Sequence, residues 1–406
     1  LKFTRVPLCH GFCIVSIIGM ASKPSRWQKR TWHSAGFAGW KTSSAWEWEQ
    51  PDGASTTLDH EGLPNPPELS SLGIGTWAWG DEKWGYGRED AEYNDETLQD
   101  AFRKAVDMGV TFFDTSEVYG GSHAETVLGW CLRNARCKCF IATKWHPRSN
   151  SSTFQRCYDD SVIDSMRRTL AGSKKRLGVD AVDLFQLHSG SECYGSLEDY
   201  ADGLAAMVRE GHTKYVGVSN VGAKQVWRIY QRLQEHGIQL FSNQVEFSLL
   251  EPGILKDGTL EACKRLGVRI LAYCPLGMGR LTGKYSADKE PQFFGYGNKS
   301  YRYHAALPWP DIEKVLDVCK DIACQKNATI AQVALNWCIA QGTIPIPGAK
   351  TCAQALDNCN TLAWKLDYSE VQQLNAIAIG DEAPRKKNSH QPKGRGKHRS
   401  TRQHNW

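Results

Sequence analysis

Short apolar runs alternate with segments of helical periodicity from about residue 69 to residue 365, and this alternation constrains the fold more than any other feature. Near-continuous apolar runs are typical of strands buried on both faces of a parallel sheet, and the periodic segments between them supply the covering helices. Eight runs predict strands, at 72–77, 110–114, 139–144, 182–188, 215–218, 240–244, 268–273 and 343–347. Eight such units in about 300 residues predict an α/β fold, a single-domain (β/α)8 TIM barrel at 69–380.

The alternative α/β architecture is a doubly wound open sheet, which binds dinucleotides at a G-x-G-x-x-G turn after its first strand. The first predicted strand contains Gly73 and Gly75, but the third glycine of that motif is missing. The barrel is therefore favoured. The stretch 276–310 is rich in glycine and tyrosine and has no periodicity, which predicts a loop over the barrel mouth.

The two ends of the chain differ from its middle in charge. Residues 1–46 contain none of the 44 acidic side chains of the chain. A basic, serine-containing leader is typical of an organellar transit peptide, so we expect a chloroplast or plastid location. Untranslated or unstructured sequence and a secretory signal are the alternatives for this leader, and a cytoplasmic location is the alternative for the protein. We expect residues 47–68 to form a linker and residues 381–406 a basic, disordered tail.

Composition narrows the possible partners. The middle of the chain is acidic, which argues against a nucleic-acid-binding surface on the folded domain. The apolar run at 13–20 is too short to span a bilayer, so we expect no membrane partner. The 14 cysteines form no Cys-x2-Cys pair, so we expect reduced thiols and no metal site. A monomer that acts on a small molecule is the expectation.

Titratable side chains stand where the active site of such a barrel is built, at the carboxyl ends of the strands. Three predicted strands end in Asp114, Lys144 and His188, and Tyr119 follows the first of them. A tyrosine is normally too weak an acid for catalysis near neutral pH. We expect the Lys144 ammonium to lower the pKa of Tyr119, with Asp114 orienting that ammonium. His188 would hydrogen-bond the substrate oxygen, so that the group donates a proton to a carbonyl.

Each of these four residues alone also has a structural explanation, such as a capping carboxylate or a solvated lysine. Their joint occurrence at successive strand ends favours catalysis. Motifs along the chain then show a resemblance to aldo-keto reductases, closest to the plant and algal plastid-type members, at 72–81, 113–120, 142–144, 186–188, 217–220, 242–250, 272–276, 281–285 and 344–350. The resemblance covers about residues 69–378. It implies NADPH-dependent reduction of aldehydes or ketones by a tetrad of Asp114, Tyr119, Lys144 and His188.

The same resemblance implies a set of cofactor contacts. Ser219, Asn220 and Gln244 would bind the nicotinamide carboxamide, and Tyr273 would stack on the ring. The loop over the pyrophosphate would contain Pro275, Leu276, Gly279 and Leu281, where glycine permits close approach of the backbone. The adenosine end would meet Gly348, Lys350, Gln354 and Asn358. Lys350 suits the 2′-phosphate of NADP, and the helix that starts near Thr351 offers amides to phosphate.

Three tryptophans at or just beyond strand ends, Trp77, Trp79 and Trp145, are candidates to line a substrate pocket, with packing in the barrel mouth as the alternative. We expect Trp77 to face the core and Trp145 to be the better substrate contact. Cys274 departs from the serine of many relatives, and a basic tail replaces the usual carboxyl-terminal substrate loop.

Two other functions are open to a chain of this fold. One is a cofactor-binding regulatory or channel-associated subunit with negligible turnover, although an intact proton donor favours the enzyme. The other is a hydrolase, which would require a metal cluster or two catalytic carboxylates. The sequence supplies neither requirement.

Overall fold

The computed structural model describes residues 69–87, 93–147, 161–290 and 307–378. The predicted leader, linker and basic tail lie outside these ranges. Eight parallel strands neighbour one another in chain order. Their bounds are β1 Ile74–Gly75, β2 Phe112–Asp114, β3 Phe140–Trp145, β4 Val182–Leu187, β5 Thr213–Ser219, β6 Leu240–Glu246, β7 Arg269–Tyr273 and β8 Ile344–Pro345. Each predicted strand run therefore contains or overlaps an observed strand.

Backbone hydrogen bonds between the first and the last strand close the sheet. Gly73 N donates to Pro345 O at 2.9 Å, and Gly75 N donates to Pro347 O at 3.0 Å. Gly75 also pairs in parallel with Gly348 just beyond β8. Because the two prolines have no N–H to donate, β8 is short. The predicted TIM barrel is confirmed.

The helices cover the outside of the barrel. In the described ranges they are α1 Asp95–Asp107, α2 His123–Arg133, α3 Val162–Leu177, α4 Leu197–Arg209, α5 Ala223–Glu235, α6 Thr259–Arg265, α7 Trp309–Lys326, α8 Ile330–Ala340, α9 Cys352–Asn360 and α10 Tyr368–Ala378. A capping box begins α4, because Ser196 Oγ accepts from Asp199 N at 3.1 Å and Asp199 Oδ2 accepts from Ser196 N at 2.9 Å. None of these helices is long and apolar enough to cross a membrane.

Alternation along the strands separates an outer core from the barrel interior. Phe113 faces outward and stacks on Phe102 of α1, with 4.6 Å between ring centroids. Phe112 faces inward, into an apolar cluster with Ala142, Leu184, Phe241, Leu271 and Ile346. Since side chains two residues apart share a face, Asp114 and Lys144 also point inward. Buried charge therefore lies on the barrel axis, next to the apolar layer.

The chain after β7 forms the first part of the predicted mouth loop. It makes a 3₁₀ turn at Gly277–Thr282 and continues to residue 290, where the described range ends. Glu290 Oε1 accepts from the indole Nε1 of Trp309 at the start of α7, at 2.8 Å. The described part of the loop is therefore tied to the start of α7.

Candidate active site

A buried ion pair lies at the carboxyl ends of β2 and β3. Lys144 Nζ lies 2.5 Å from both carboxylate oxygens of Asp114 and donates to Thr115 O at 2.8 Å. The two side chains are 0% and 2% exposed. Burial raises the pKa of Asp114 and lowers the pKa of Lys144, while their mutual attraction opposes both shifts. Removing either partner would leave the other charge uncompensated.

Tyr119 lies against this pair. Its Oη accepts from Lys144 Nζ at 3.2 Å, and that nitrogen lies 4.8 Å from the ring centroid. Burial first, and the charge of Asp114 second, raise the pKa of Tyr119 well above its usual value. The expected net lowering of this pKa is therefore wrong, because burial and the carboxylate set its direction. Tyr119 keeps its proton at neutral pH.

His188 joins the cluster from the end of β4. Its Nδ1 lies 3.3 Å from Ser116 Oγ, and its ring meets that of Tyr119 edge-on, with centroids 5.9 Å apart. The ring of His146 lies 5.2 Å from the ring of His188. The structure thus brings together all four side chains that the sequence places in the catalytic group.

A second polar group continues around the mouth on β5, β6 and β7. Ser219 Oγ donates to Gln244 O at 2.8 Å, and Asn220 Nδ2 donates to Ser219 Oγ at 3.0 Å and to His188 O at 3.3 Å. Tyr273 Oη donates to Asn220 Oδ1 at 3.0 Å. Asn220 has φ 58°, a left-handed conformation that non-glycine residues adopt rarely and often at functional sites. These contacts hold four of the predicted cofactor residues in one connected set.

Gln244 also contacts the catalytic group directly. Its Nε2 donates to Asp114 Oδ1 at 2.8 Å and Oδ2 at 3.1 Å, and lies 3.4 Å from Gln186 Oε1. Sequence analysis missed Gln186 as a site residue, although it stands two residues before His188 and therefore shares its face of β4. In the described part of the chain, Gln186 Nε2 is buried without a hydrogen-bond partner.

The loop that follows β7 folds tightly beside Tyr273. Glycines at 277 and 279 have φ 54° and 95°, and Met278 between them has φ 56°. A Cβ on Gly277 would lie 2.8 Å from Leu250 Cδ1, so a side chain there would clash. Leu281 is fully buried and anchors the turn through its N–H, which donates to Leu276 O at 3.1 Å. The predicted pyrophosphate loop is therefore a compact turn at the barrel mouth.

The segment after β8 forms another turn that opens α9. Asn358 Nδ2 donates to Gly348 O at 3.2 Å, and Gln354 Oε1 accepts from Lys350 N at 2.8 Å. Thr351 caps the helix, since its Oγ1 accepts from Gln354 N at 3.3 Å. Lys350 Nζ lies 4.4 Å from the ring centroid of Tyr93. The four residues predicted for the adenosine end thus lie together, next to the point where β8 meets β1.

The tryptophans require a correction. Trp145 follows inward-facing Lys144 and so faces outward, where its Nε1 donates to Ser165 Oγ of α3 at 3.1 Å. Trp79 is also fully buried, and its Nε1 donates to Ala349 O at 2.9 Å. Trp77 is half-buried and meets Trp84 edge-on at 5.1 Å. The preference for Trp145 over Trp77 as a substrate contact is wrong, because Trp77 is the one with exposed surface.

The described residues that could bind a metal ion do not cluster, and their cysteines do not pair. Among the described residues, no group of three or more His, Cys, Asp or Glu side chains could hold a metal ion. Each cysteine in the same part of the chain is a free thiol. Burial raises the pKa of the Cys274 thiol, so this neighbour of Tyr273 is uncharged at neutral pH.

Comparison with known proteins decides the family. Residues 71–379 match the model of the aldo/keto reductase family. The chain belongs to the aldo/keto reductases. A chloroplastic pyridoxal reductase of Arabidopsis thaliana is 35% identical over 326 residues, which cover 77% of this chain and 84% of that protein. The resemblance identified from the sequence motifs is thereby confirmed.

Two solved aldo/keto reductase structures show the same architecture. The glycerol dehydrogenase of Gluconobacter oxydans superimposes with a TM-score of 0.65 at 26% identity, covering 80% of this chain and 96% of that one. An enzyme of Klebsiella pneumoniae in complex with NADP and acetate has a TM-score of 0.57 at 25% identity, covering 76% of this chain and 92% of that one.

Proposed function

We propose that this aldo/keto reductase uses NADPH to reduce an aldehyde or ketone to an alcohol. In the reverse direction, the same enzyme would oxidise the CH–OH group of the alcohol. The observation that carries the proposal is the contact of Tyr119 Oη with Lys144 Nζ, which is itself held 2.5 Å from Asp114. A phenol that stays protonated at neutral pH, next to a charge that can stabilise its phenolate, is suited to donate a proton.

The residues at the barrel mouth fit a nicotinamide dinucleotide. A carboxamide both donates and accepts hydrogen bonds, and the connected side chains of Ser219, Asn220 and Gln244 offer hydroxyl and amide partners of both kinds. The half-buried ring of Tyr273 lies beside them and offers a flat face. When bound, the cofactor supplies a hydride to the carbonyl carbon.

The chain's own residues handle the proton. Tyr119 donates its Oη proton to the carbonyl oxygen as that oxygen gains negative charge, and Lys144 stabilises the phenolate that remains. Asp114 keeps Lys144 in place through both carboxylate oxygens. His188 lies at the edge of the Tyr119 ring and hydrogen-bonds the same carbonyl oxygen, which fixes the substrate for transfer.

Lys350 favours NADPH over NADH. It stands at the predicted adenosine end, one residue before the Thr351 cap of α9, and its ammonium can pair with a 2′-phosphate. The Klebsiella pneumoniae enzyme, crystallised with NADP, agrees with this preference.

A named relative indicates the first substrate and compartment to test. The Arabidopsis thaliana relative is a chloroplastic pyridoxal reductase, so pyridoxal is the first aldehyde to test and a plastid is the first compartment to examine. A fluorescent protein fused to residues 1–46 should enter plastids. Diffuse cytosolic fluorescence would remove the transit peptide from this account.

Two measurements on the full chain test the proposal. We expect NADPH to quench tryptophan fluorescence and aldehydes, including pyridoxal, to consume the reduced cofactor. Tight binding without turnover on any aldehyde would instead support a regulatory subunit. Absence of NADPH binding would refute the cofactor assignment.

A further inference from the structure

A chain of amide hydrogen bonds crosses the barrel interior from β4 to β2. Gln186 Oε1 lies 3.4 Å from Gln244 Nε2, which donates to Asp114 Oδ1 at 2.8 Å. The three residues are 0%, 3% and 1% exposed, so water does not compete for these contacts. The proton-donating group and the predicted carboxamide-binding residue are therefore physically joined.

Gln186 can reach Gln244 because the strand between them carries a glycine. Gly217 of β5 pairs with Gln186 on one side and with Ser242 on the other. A Cβ on Gly217 would lie 3.2 Å from Gln186 Cγ and 2.4 Å from Ser242 Oγ. Because Gly217 has no side chain, Gln186 on β4 has space to extend past β5 and reach Gln244 on β6.

The contacts determine which way the Gln244 amide faces. Asp114 and Gln186 both present oxygen acceptors to it, so the nitrogen side of the amide must face them. Within the described ranges, the hydrogen bonds of the Gln244 side chain all use Nε2. Since Oε1 is on the other branch of the amide, it is the atom left to accept a hydrogen bond at the mouth.

We propose that Gln186 is a positioning residue that orients the Gln244 amide, so that Nε2 holds Asp114 while Oε1 accepts from the carboxamide nitrogen of the cofactor. This inference rests on the proposed function, because it assumes that a nicotinamide binds at Ser219, Asn220 and Gln244. In this proposal Gln186 acts through Gln244, and Gln244 links cofactor binding to the Asp114–Lys144 pair.

The test removes the amide of Gln186 from the protein and, separately, the carboxamide N–H from the cofactor. 3-Acetylpyridine adenine dinucleotide phosphate keeps the carbonyl of NADP⁺ but has no carboxamide N–H. In Gln186→Met we expect the Kd of NADP⁺, measured by fluorescence quenching, to rise about three- to tenfold, the effect of one buried neutral hydrogen bond. The Kd of the acetylpyridine analogue should change by less than about twofold, because it cannot donate to Gln244.

Two variants separate positioning from a general structural effect. Ser242→Ala removes a buried hydroxyl on the other side of Gly217 that has no hydrogen-bond partner in the described ranges, so neither Kd should change. Gln186→Met added to Gln244→Met should weaken NADP⁺ binding no further than Gln244→Met alone, because Gln186 acts through Gln244.

Equal losses for both cofactors in Gln186→Met, or no loss for either, would overturn the proposal. If Gln186→Met does not fold, Gln186→Leu supplies the same test, since its shorter side chain is also apolar and cannot accept from Gln244 Nε2. If the wild-type chain binds neither dinucleotide, the proposed function fails, which is a different result.

Discussion

Lys144→Met tests the energetics of the site, because it removes one charge of the buried pair and keeps the shape of the side chain. Asp114 would remain in the barrel interior with its hydrogen bond from Gln244 but without the ammonium 2.5 Å away. Breaking a buried ion pair from one side costs about 3–5 kcal/mol of unfolding free energy.

The cost should depend on pH. Burial already raises the pKa of Asp114, and Lys144 is the first cause that opposes this shift, so its removal raises the pKa further. A carboxyl whose pKa is higher in the folded state than in the unfolded state contributes stability at low pH and loses it as the pH rises. The variant should therefore lose about 1.4 kcal/mol per pH unit from about pH 4 up to the new pKa of Asp114. The wild type loses stability in the same way only up to the lower pKa that Asp114 has beside Lys144, so the difference between the two proteins should grow above that pH.

Lys214→Met is the matched control. Lys214 Nζ also lies 2.5 Å from a carboxylate, that of Asp183, but its side chain is 47% exposed. The Asp183 side chain is 11% exposed, but water reaches the ammonium and Ile141 N would still donate to Asp183 in the variant, so we expect a loss of about 1 kcal/mol or less. Urea unfolding of both variants and the wild type between about pH 5 and pH 8 measures the differences. A Lys144→Met deficit no larger than that of Lys214→Met, or one that does not grow with pH, would show that Lys144 does not stabilise a buried Asp114 carboxylate.

Two further predictions concern cofactor affinity. Gly279→Ala forces φ 95° on a residue with a Cβ and should weaken NADPH binding and lower stability by about 1–2 kcal/mol. Gly267→Ala, at φ 67° with an ordinary contact of 3.8 Å from the new Cβ to Gln239 Nε2, is its control and should lower stability alone. Equal NADPH affinities of the two variants would contradict a role for the mouth loop. Lys350→Ala should raise the Kd of NADPH about tenfold or more and leave that of NADH unchanged in fluorescence titrations. A parallel loss for NADH would contradict 2′-phosphate recognition.

The sequence predicts the barrel well because its strands are buried on both faces and their apolar runs are nearly continuous. The catalytic group is predictable for a related reason. Parallel strands end at one edge of the sheet, so Asp114, Lys144 and His188 meet wherever the chain folds as a barrel. Tyr119 follows because only a short loop separates it from the end of β2.

Features that depend on side-chain direction or on the sum of several charges were not predictable in this way. Trp145 stands beside Lys144 in the sequence but on the opposite face of β3, so its neighbours are helices. The pKa of Tyr119 depends on burial and on Asp114 as well as on Lys144. Gln186 has no charge and ends no strand, and its contact with Gln244 depends on the gap at Gly217.

Tyr119→Phe in the full chain tests whether Tyr119 donates the proton. The phenyl ring keeps the packing against His188, and only the hydroxyl and its contact with Lys144 are lost. We predict an NADPH Kd within about twofold of wild type, since the hydroxyl makes no predicted cofactor contact, and aldehyde reduction slower by about 10²–10⁴-fold, the contribution typical of a positioned acid. A variant that binds NADPH equally well and still reduces the aldehyde at most of the wild-type rate would contradict the account.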